Sequence, residues 1–374
     1  MNLVIISYEL PPRIGGAGIV ALDLAKAFSE NGYRVTIVSS YEACAKKFIN
    51  NDVVIEYIEN VRVVRLPVLS KIWFLTFPML LRKNKNFVKV DSKIVLNDFG
   101  AAYSFHKSGS FPERGYTMYV HGKESFLVND HWIKNGFLGF RKTYLELLNK
   151  ARSIVCVSNF IQGSLFSYFP QFMGDERFSV VYNSVDEKIF FNVDKDSIPN
   201  DLLLNTRSKY RIVTACRLVK GKGFDRKLRI FKELTKSMGL DISWLIIGDG
   251  EYRSEFERTI KREGLNNIIF LGRIEREHLK FYYSQCDIFW LLSNYEEAYP
   301  LVYHEAQSCG LPVLGYDLGG VGEVIQPEFG RVVNCDRDAI QYISNIINGD
   351  VTCDKWTNTD NSLTAIFNKV KNLI

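Results

Sequence analysis

The segment Glu296-Glu-Ala-Tyr-Pro-Leu-Val-Tyr-His-Glu-Ala-Gln-Ser-Cys-Gly-Leu-Pro-Val313 contains the signals of a helix that begins near a proline and ends at a glycine. Pro300 suits the first turn of a helix, because its missing N–H is no loss there. That helix is predicted to end at Gly310, since glycine favours the position after a helix. Apolar runs at Ile288–Leu292 and Pro312–Tyr316 flank the helix and are predicted strands. The segment therefore predicts parallel strands joined by a helix.

The same alternation of β-branched runs and helical patterns extends in both directions. Leu3–Ile6 and Arg34–Ser39 are predicted strands, and Ile19–Asn31 between them is a predicted helix. Further predicted strands are Val61–Leu66, Ile94–Leu96, Thr117–Val120, Ile154–Val157, Ser179–Tyr182, Tyr210–Ala215, Ser243–Ile247, Ile268–Leu271 and Gly330–Val333. This pattern predicts an α/β protein with doubly wound parallel sheets, which bind ligands at the carboxyl ends of their strands.

The alternation lapses in a polar, proline-containing stretch around Phe191–Ser208. A chain of 374 residues is long for one domain and of ordinary size for two. We therefore predict two Rossmann-like domains facing each other across a cleft, followed by a C-terminal helix in Asn361–Ile374. The predicted bounds are 1–192 for the first domain, 193–208 for the linker, 209–355 for the second domain and 356–374 for the C-terminal part.

The composition is that of a soluble globular protein, with 47% apolar and 24% charged residues. A net charge of +5 suits an anionic ligand or membrane surface and is too small to indicate nucleic acid. Seven scattered cysteines without a C-x-x-C pair predict a reducing compartment and no zinc site. The N-terminus lacks the pattern of a signal peptide, and no apolar run approaches the roughly 18 residues that span a bilayer. We expect a cytoplasmic protein, or one attached to a membrane from the cytoplasmic side.

A glycine-rich loop, Pro11-Pro-Arg-Ile-Gly-Gly-Ala-Gly18, follows the first predicted strand. Gly16–Ala21 matches the dinucleotide fingerprint G-x-G-x-x-A, and Glu42 lies at about the right distance beyond it. In that fold the first glycine turns directly off the strand, whereas eight residues (Ser7–Ile14) separate the strand from Gly15 here. We therefore set NAD binding aside, although these glycines still allow backbone N–H groups to approach a phosphate.

A basic loop, Cys216-Arg-Leu-Val-Lys-Gly-Lys-Gly-Phe224, follows the first strand of the second predicted domain. Arg217 and Lys222 lie five residues apart, so both cations can converge on one diphosphate. A diphosphate leaving group needs such cations, because negative charge develops on it as the glycosidic bond breaks. The alternative interpretation is an ordinary solvated basic loop.

Two carboxylates flank the start of the predicted helix in the opening segment. Glu297 lies just before it and Glu305 one turn inside it, while the N–H groups near Leu301 and Val302 form an anion site. Carboxylates beside an anion site are unusual for phosphate alone and suit sugar hydroxyls. One carboxylate can bind a transferred sugar and the other a ribose, with a diphosphate between them.

The spacing E-x(7)-E from Glu297 to Glu305 resembles the signature of retaining GT-B glycosyltransferases of family 4. Ala298 and Pro300 depart from it mildly where glycines are frequent, as does Ser184 where Asn-Gly is usual. The resemblance extends over nearly the whole chain. Its other landmarks are Pro11–Gly16, Val120–Gly122, Val157–Asn159, Asn183–Asp186, Ile246–Gly250, Phe270–Gly272 and Gly319–Glu323.

The resemblance implies the GT-B fold, with a final helix that crosses back to an acceptor-binding first domain. It also implies a catalytic set of His121, Glu297, Arg217 and Lys222. In this set the two cations would neutralise the donor diphosphate, Glu297 would bind the donor sugar, and His121 would lie near the reacting centre. A lone histidine is more often structural, but Val-His-Gly at this point favours the catalytic interpretation.

The resemblance further assigns donor binding mainly to the second domain. Glu305 would bind the ribose, and the backbone at Gly272 and Arg273 would meet the base. The remaining implied donor contacts are Gly15 and Gly16, which would close over the phosphates, and the helix start at Tyr299, Pro300, Leu301 and Val302.

Such enzymes retain anomeric configuration, and the family mechanism is front-face attack in which the donor phosphate accepts the acceptor proton. We expect neither a cofactor nor a metal, since Arg217, Lys222 and the helix N-terminus carry the positive charge. Two D-x-D matches are set aside: Asp194-Lys-Asp196 lies in the predicted linker, and Asp336-Arg-Asp338 suits a capped helix start.

The segment Lys71–Lys89 mixes aromatic and aliphatic residues with closely grouped cations after Pro78. This composition suits peripheral contact with an anionic bilayer, and equally a helix packed on the first domain with a solvated basic end.

Donor sugar, base and acceptor do not follow from the residues. Family frequency favours a UDP-hexose donor and a cell-surface glycan or glycolipid acceptor, with no nucleic-acid partner. Two alternatives stay open: a nucleotide-sugar epimerase of the same fold, and a nucleotide-sugar-binding protein without turnover.

Overall fold

The first strand of the computed structural model, β1, spans Asn2–Ile6. The structure describes residues 1–12, 15–89, 91–110, 115–124, 135–136, 138–206, 208–351 and 362–374. It lies inside a sheet of eight described strands, because its four last residues are buried and apolar. The other strands are β2 (Arg34–Glu42), β3 (Val54–Ile58), β4 (Val61–Val68), β5 (Lys93–Leu96), β6 (Thr117–Val120), β7 (Ser153–Cys156) and β8 (Phe178–Val180).

The order of this sheet is β3-β4-β2-β1-β5-β6-β7-β8, and every neighbouring pair except β3–β4 is parallel. Ile5 pairs with Ile37 on one side and with Val95 on the other, which makes β1 the point where the chain order reverses. The described α-helices between these strands are α1 (Gly16–Glu30), α2 (Ala45–Asn50), α3 (Trp73–Lys83), α4 (Phe99–Ser108), α5 (Phe140–Lys150) and α6 (Asn159–Tyr168).

The antiparallel edge strand β3 is absent from the sequence-based prediction. It forms a hairpin with β4 through Glu59 and Asn60, and Glu59 has a positive φ of 52°. Its apolar residues Val54 and Tyr57 are exposed, because an edge strand covers little of the core. The parallel doubly wound arrangement is otherwise confirmed.

The second sheet has six described strands, all parallel, in the order β11-β10-β9-β12-β13-β14. They are β9 (Tyr210–Ala215), β10 (Ile242–Ile247), β11 (Ile268–Gly272), β12 (Ile288–Leu291), β13 (Val313–Tyr316) and β14 (Gly330–Val333). The helices are α7 (Phe224–Lys232), α8 (Arg253–Glu263), α9 (Leu279–Tyr283), α10 (Leu301–Ser308), α11 (Val321–Val324) and α12 (Asp336–Asn348). Here β9 is the reversal point, since Val213 pairs with Leu245 of β10 and Phe289 of β12.

The chain divides into two compact units between Ser184 and Val185. Residues of the predicted linker contact the second unit: the Val193 N–H donates to Ser284 Oγ at 3.1 Å, and the Leu204 N–H donates to Gln285 Oε1 at 2.8 Å. The division therefore falls before the predicted 193–208 segment.

The C-terminal helix α13 (Leu363–Val370) belongs to the first unit. Its Phe367 ring lies 5.0 Å from Phe28 of α1. Beyond the helix, the Leu373 carbonyl accepts hydrogen bonds from Thr117 Oγ1 at 2.7 Å and from Ser153. The last residues of the chain therefore contact the first residues of β6 and β7. Among the described residues, no helix has the length and apolar character required to cross a membrane.

Candidate functional site

The loops after β9 and β12 meet where the order of the second sheet reverses. The β9 loop contains Lys222, and the β12 loop contains Ser293 and Glu297. Carboxyl ends of adjacent parallel strands lie at the same sheet edge, so these side chains are brought together by the pairing of β9 with β12. The predicted ligand-binding edge therefore carries both motifs.

Gly223 allows this close approach of the two loops. Its φ of +68° is in the left-handed region, and a Cβ there would lie 1.8 Å from the Leu292 carbonyl oxygen. The Asn294 N–H donates to the Gly221 carbonyl at 2.7 Å and ties the loops together. Any larger residue at position 223 would force the basic loop away from the end of β12.

Lys222 and Glu297 form a close ion pair at this edge. Lys222 Nζ lies 2.5 Å from Glu297 Oε1, and their side chains are only 14% and 11% exposed. Burial is the largest single influence and lowers the pKa of Lys222, but Glu297 together with Cys216 and Tyr295 raises that pKa above its usual value. Lys222 is therefore a fixed positive charge at neutral pH.

Glu297 is also held by contacts that the sequence patterns do not reveal. Ser293 Oγ donates to the same Oε1 atom at 2.6 Å, and Ser293 is buried. The Gly320 N–H donates to the Glu297 carbonyl at 2.7 Å. Sequence reasoning missed Ser293, whose signal is a hydroxyl placed directly after a buried strand. Together these bonds fix the carboxylate of the first predicted sugar-binding residue.

Glu305, the second predicted carboxylate, has its own cation. Arg276 Nε donates to Glu305 Oε1 at 3.1 Å, and the Glu305 side chain is almost fully buried. The Arg276 guanidinium lies 5.1 Å from the centre of the Phe190 ring, which restricts its position. Arg276 was also missed from the sequence, where it follows the predicted base-binding pair by three residues. Each predicted carboxylate thus forms an ion pair.

The start of α10 lies between these carboxylates in sequence. Pro300 is the N-cap residue and Leu301 the first helical residue, so the proline precedes the helix instead of occupying its first turn as predicted. Leu301 and Val302 are half-buried, and the Tyr299 hydroxyl shares a 2.7 Å hydrogen bond with His304 Nε2. The first N–H groups of α10 are orphan donors of the kind that bind anions.

The other predicted donor contacts of this unit are less enclosed. Arg217 and Arg273 are exposed, and among the described residues the Arg217 side chain has no hydrogen-bond or ion-pair partner. Gly272 ends β11 with a φ of +72° and accepts a 2.7 Å hydrogen bond from the Gly248 N–H. The structure therefore joins Lys222 to Glu297 and leaves Arg217 and Arg273 facing solvent.

A buried lysine beside this site was not predicted. Lys227 of α7 is fully buried, and Nζ lies 4.2 Å from the centre of the Phe224 ring. Within the described parts of the chain, Nζ has no hydrogen-bond partner. The pKa of Lys227 is lowered to about 8, mainly by burial and in part by the nearby charge of Lys222. Helical spacing places position 227 on the same face as Phe224 and Phe231, but lysine as a residue type indicates an exposed position.

His121 lies at the corresponding edge of the first sheet, directly after β6. Its Nε2 shares a 3.1 Å hydrogen bond with Asn97 Oδ1, and Asn97 Nδ2 donates to Ser7 Oγ and to the Ala17 carbonyl, each at 2.9 Å. Burial lowers the pKa of His121 to about 4, so the ring is neutral at pH 7. A cavity of about 230 Å³ adjoins it, and residues lining it include Glu9, Asp98, His121, Lys123 and Tyr144.

Asp98 organises the loop that forms this cavity. Its Oδ1 accepts from the Ala101 N–H at 2.8 Å and caps α4, while Oδ2 accepts from the Tyr8 N–H at 2.7 Å and from Ser7 Oγ at 3.0 Å. Neither Asn97 nor Asp98 was predicted as a site residue. Polar side chains directly after the buried strand β5 were the available signal.

The predicted phosphate loop is described in part, since residues 13 and 14 fall outside the described ranges. Gly15 is the N-cap of α1, and Gly16 is its first residue, three positions before the predicted start. A Cβ on Gly15 would lie 2.0 Å from Glu9 Oε2. The small size of Gly15 therefore makes room for this carboxylate.

The D-x-D match at Asp336 lies at the start of α12, as predicted, but the N-cap is Cys335 without a side-chain hydrogen bond. Asp336 Oδ2 accepts from Arg229 Nη2 at 3.2 Å, and Asp336 Oδ1 lies 3.5 Å from Arg226 Nε. This carboxylate is thus occupied by arginines of α7.

Two family models match the sequence: glycosyltransferase family 4 over residues 14–188, and glycosyl transferases group 1 over residues 194–360. Similar curated proteins include an uncharacterized glycosyltransferase of Methanocaldococcus jannaschii, which is 21% identical over 355 residues, 91% of this chain and 86% of the relative. Another is the phosphatidylinositol N-acetylglucosaminyltransferase GPI3 subunit of Saccharomyces cerevisiae, 23% identical over 335 residues, 87% of this chain and 70% of the relative.

Solved structures share the fold. The structure of Anabaena HepE in complex with UDP and glucose matches with a TM-score of 0.68 at 18% identity, covering 100% of this chain and 94% of that chain.

Proposed function

Because the chain belongs to the group 1 glycosyltransferases of family 4, which have the GT-B fold, we propose that it is a retaining hexosyltransferase that uses a UDP-sugar. The acceptor is a glycan or glycolipid of cell-surface polysaccharide biosynthesis. The observation that carries the proposal is the pairing of Lys222 with Glu297 at the reversal point of the second sheet.

The pair places opposite charges where a sugar diphosphate needs them. Lys222, with Arg217 beside it in the same loop, neutralises the charge that develops on the diphosphate as the C1–oxygen bond breaks. Glu297, held through Oε1, binds hydroxyls of the transferred sugar. Glu305, oriented by Arg276, binds the ribose hydroxyls, and the first N–H groups of α10 bind phosphate oxygens.

In the proposed reaction, the acceptor hydroxyl attacks C1 on the face from which the diphosphate departs. The bond from C1 to the phosphate oxygen breaks, the bond from C1 to the acceptor oxygen forms, and the acceptor proton passes to a phosphate oxygen. The ring of His121 does not hold this proton, since burial lowers the pKa of this histidine to about 4 and keeps the ring neutral. No protein nucleophile or metal is required.

The choice of UDP is supported by the structural neighbour HepE of Anabaena, which was solved in complex with UDP and glucose. The yeast relative, whose name gives N-acetylglucosaminyl transfer to phosphatidylinositol, supports a lipid-linked acceptor. We place the reaction in the cytoplasm or at the cytoplasmic face of a membrane.

The first experiment measures thermal stabilisation by UDP, GDP, ADP and NAD, each with and without EDTA. A ligand at about 100 times its dissociation constant adds roughly 2.7 kcal/mol to the free energy of unfolding. We expect a shift with UDP that is insensitive to EDTA, lost in Lys222→Ala and retained in Lys220→Ala. Lys220 is a matched control, because it is an exposed lysine paired with Glu255 in the same loop.

The second experiment measures UDP release from UDP-sugars with and without an added acceptor. Release that depends on the acceptor supports a transferase, and NMR of the product reports the anomeric configuration. Interconversion of UDP-sugars without an acceptor would instead assign an epimerase, and binding without turnover would assign a binding protein. Stabilisation by NAD alone would overturn the proposal.

A further inference from the structure

Helix α3 exposes a stripe of large apolar side chains. Ile72, just before the helix, and Leu75 and Met79 within it are 41%, 53% and 60% exposed. Positions separated by three and four residues lie on one face of a helix, so these three form a continuous row. A contiguous exposed apolar row, in contrast to scattered apolar residues, indicates an interaction surface.

The opposite face of α3 is firmly packed on the first unit. Phe77, Leu80 and Leu81 are buried, and the Trp73 ring lies 5.3 Å from the ring of Tyr8. The exposed row therefore lies on a helix whose other face is packed against the first unit. Leu75 and Met79 are thus exposed in the folded protein.

The segment of sequence that carries the row contains only positive charges. Residues 61–90 contain seven lysines and arginines and no aspartate or glutamate, whereas the whole chain has a net charge of only +5. Five of the seven are exposed and lie at both ends of the row: Lys71, Arg82, Lys83, Lys85 and Lys89.

A second basic element lies beside the C-terminal end of α3. Asn51, which ends α2, and Asn84, which ends α3, exchange two side-chain hydrogen bonds of 3.1 and 2.8 Å. Helix α2 exposes Lys46, Lys47 and Ile49. The fold thus joins two segments, distant in sequence, that share exposed cations and apolar residues. We call this surface the α2/α3 face.

We propose that the α2/α3 face docks the protein peripherally on an anionic lipid bilayer. Exposed apolar side chains of a helix can insert among acyl chains, and this needs no groove on the protein. The flanking cations attract lipid phosphates, and this attraction needs no defined hydrogen-bond geometry. An acidic protein partner would instead be expected to need a shaped recess. Docking goes beyond the proposed transfer reaction and does not depend on the identity of the donor.

The test is flotation of the full chain with phosphatidylcholine vesicles that either contain or lack phosphatidylglycerol. We expect binding only to the anionic vesicles, with a loss on raising salt because exposed charges are screened. Replacing Arg82, Lys83, Lys85 and Lys89 by glutamine should weaken binding on the order of a hundredfold or more. Leu75→Ser with Met79→Ser should likewise weaken binding, and both positions are exposed enough to keep the fold intact.

The matched control replaces four exposed cations of the second unit, Lys236, Arg258, Lys261 and Arg262, by glutamine. This variant loses the same charge and should bind vesicles as the unmodified protein does. Equal loss in the control, or full binding by the α3 variants, would overturn the proposal. A dimer in light scattering that Leu75→Ser with Met79→Ser dissociates would assign the face to a second copy and also overturn it.

Discussion

Lys222 Nζ contacts Glu297 Oε1 at 2.5 Å across 75 residues of sequence, and Ser293 Oγ donates to the same oxygen. The pair joins the loop after β9 to the loop after β12, so it exists only because these strands are neighbours. It therefore couples the stability of the second unit to the geometry of the proposed donor site.

The first prediction concerns the stability of this pair. Lys222→Met or Glu297→Gln alone should lower the free energy of unfolding by about 3 kcal/mol, because each leaves one buried group without its partner. The double variant should recover most of that loss while remaining inactive, since no charge is left unpaired. Urea denaturation of the four proteins measures this coupling. Strictly additive losses would show that the two side chains do not depend on each other.

Ser293 is predicted to position Glu297 for the donor sugar. A hydrogen bond to a charged group contributes about 1.5–3 kcal/mol, so Ser293→Ala should lower kcat roughly 10- to 150-fold. Ser293→Thr keeps the hydroxyl and should restore most of the rate. Steady-state kinetics should show a larger effect on kcat than on the KM for acceptor. Ser254→Ala, at an exposed serine of α8, is the control, and an equal effect there would refute the role.

Arg276 is predicted to orient Glu305 toward the ribose. Removing both ribose hydroxyls from UDP should weaken binding to the unmodified protein by at least tenfold, because Glu305 loses its partners. In Arg276→Gln this penalty should shrink, while Arg276→Lys should preserve part of it. Isothermal titration with UDP and 2′,3′-dideoxy-UDP gives both affinities. An unchanged penalty in Arg276→Gln, with Arg258→Gln as control, would place the ribose elsewhere.

Lys227 is predicted to make stability depend on pH. Its pKa falls from 10.5 to about 8 in the folded protein, mainly through burial. Below pH 8 the lysine is charged in both states and the folded protein bears the full burial penalty. Between about 8 and 10.5 only the unfolded chain keeps the proton, so stability rises with pH until the penalty disappears.

Lys227→Met should therefore raise the free energy of unfolding by about 3 kcal/mol at neutral pH. That advantage should vanish as the pH approaches 10.5. Denaturation curves of both proteins across this range measure it. A constant difference between the two proteins would show that the lysine does not change its protonation on unfolding.

Local patterns were sufficient for most of the fold. β6, β9 and β14 occur at their predicted bounds, because strands buried in a parallel sheet are continuous apolar runs. β3 was missed because it is an exposed edge strand. α10 begins at Leu301, so Pro300 caps the helix and does not lie in its first turn. A difference of one residue is within the usual uncertainty of a helix end.

The site was predictable in its residue types and only partly in its contacts. The spacing of Glu297 and Glu305 indicated two carboxylates on either side of a helix start. The spacing gave no sign that each carboxylate would form an ion pair, because Lys222 and Arg276 lie in the loops after two other strands, β9 and β11. Which side of α3 faces solvent was likewise undecided, since apolar residues occur all around that helix.

The sequence by itself determined the order of strands and helices, the two Rossmann-like units and the family, because these depend on periodicity and spacing within short windows. Only the tertiary structure decided that Lys222 and Ser293 share one oxygen of Glu297, that Arg276 holds Glu305, and that Lys227 is buried. The physical reason is that these contacts join elements that are distant in sequence, as the pairing of β9 with β12 does for Lys222 and Ser293. That pairing joins residues 76 apart in the chain, and no local pattern encodes it.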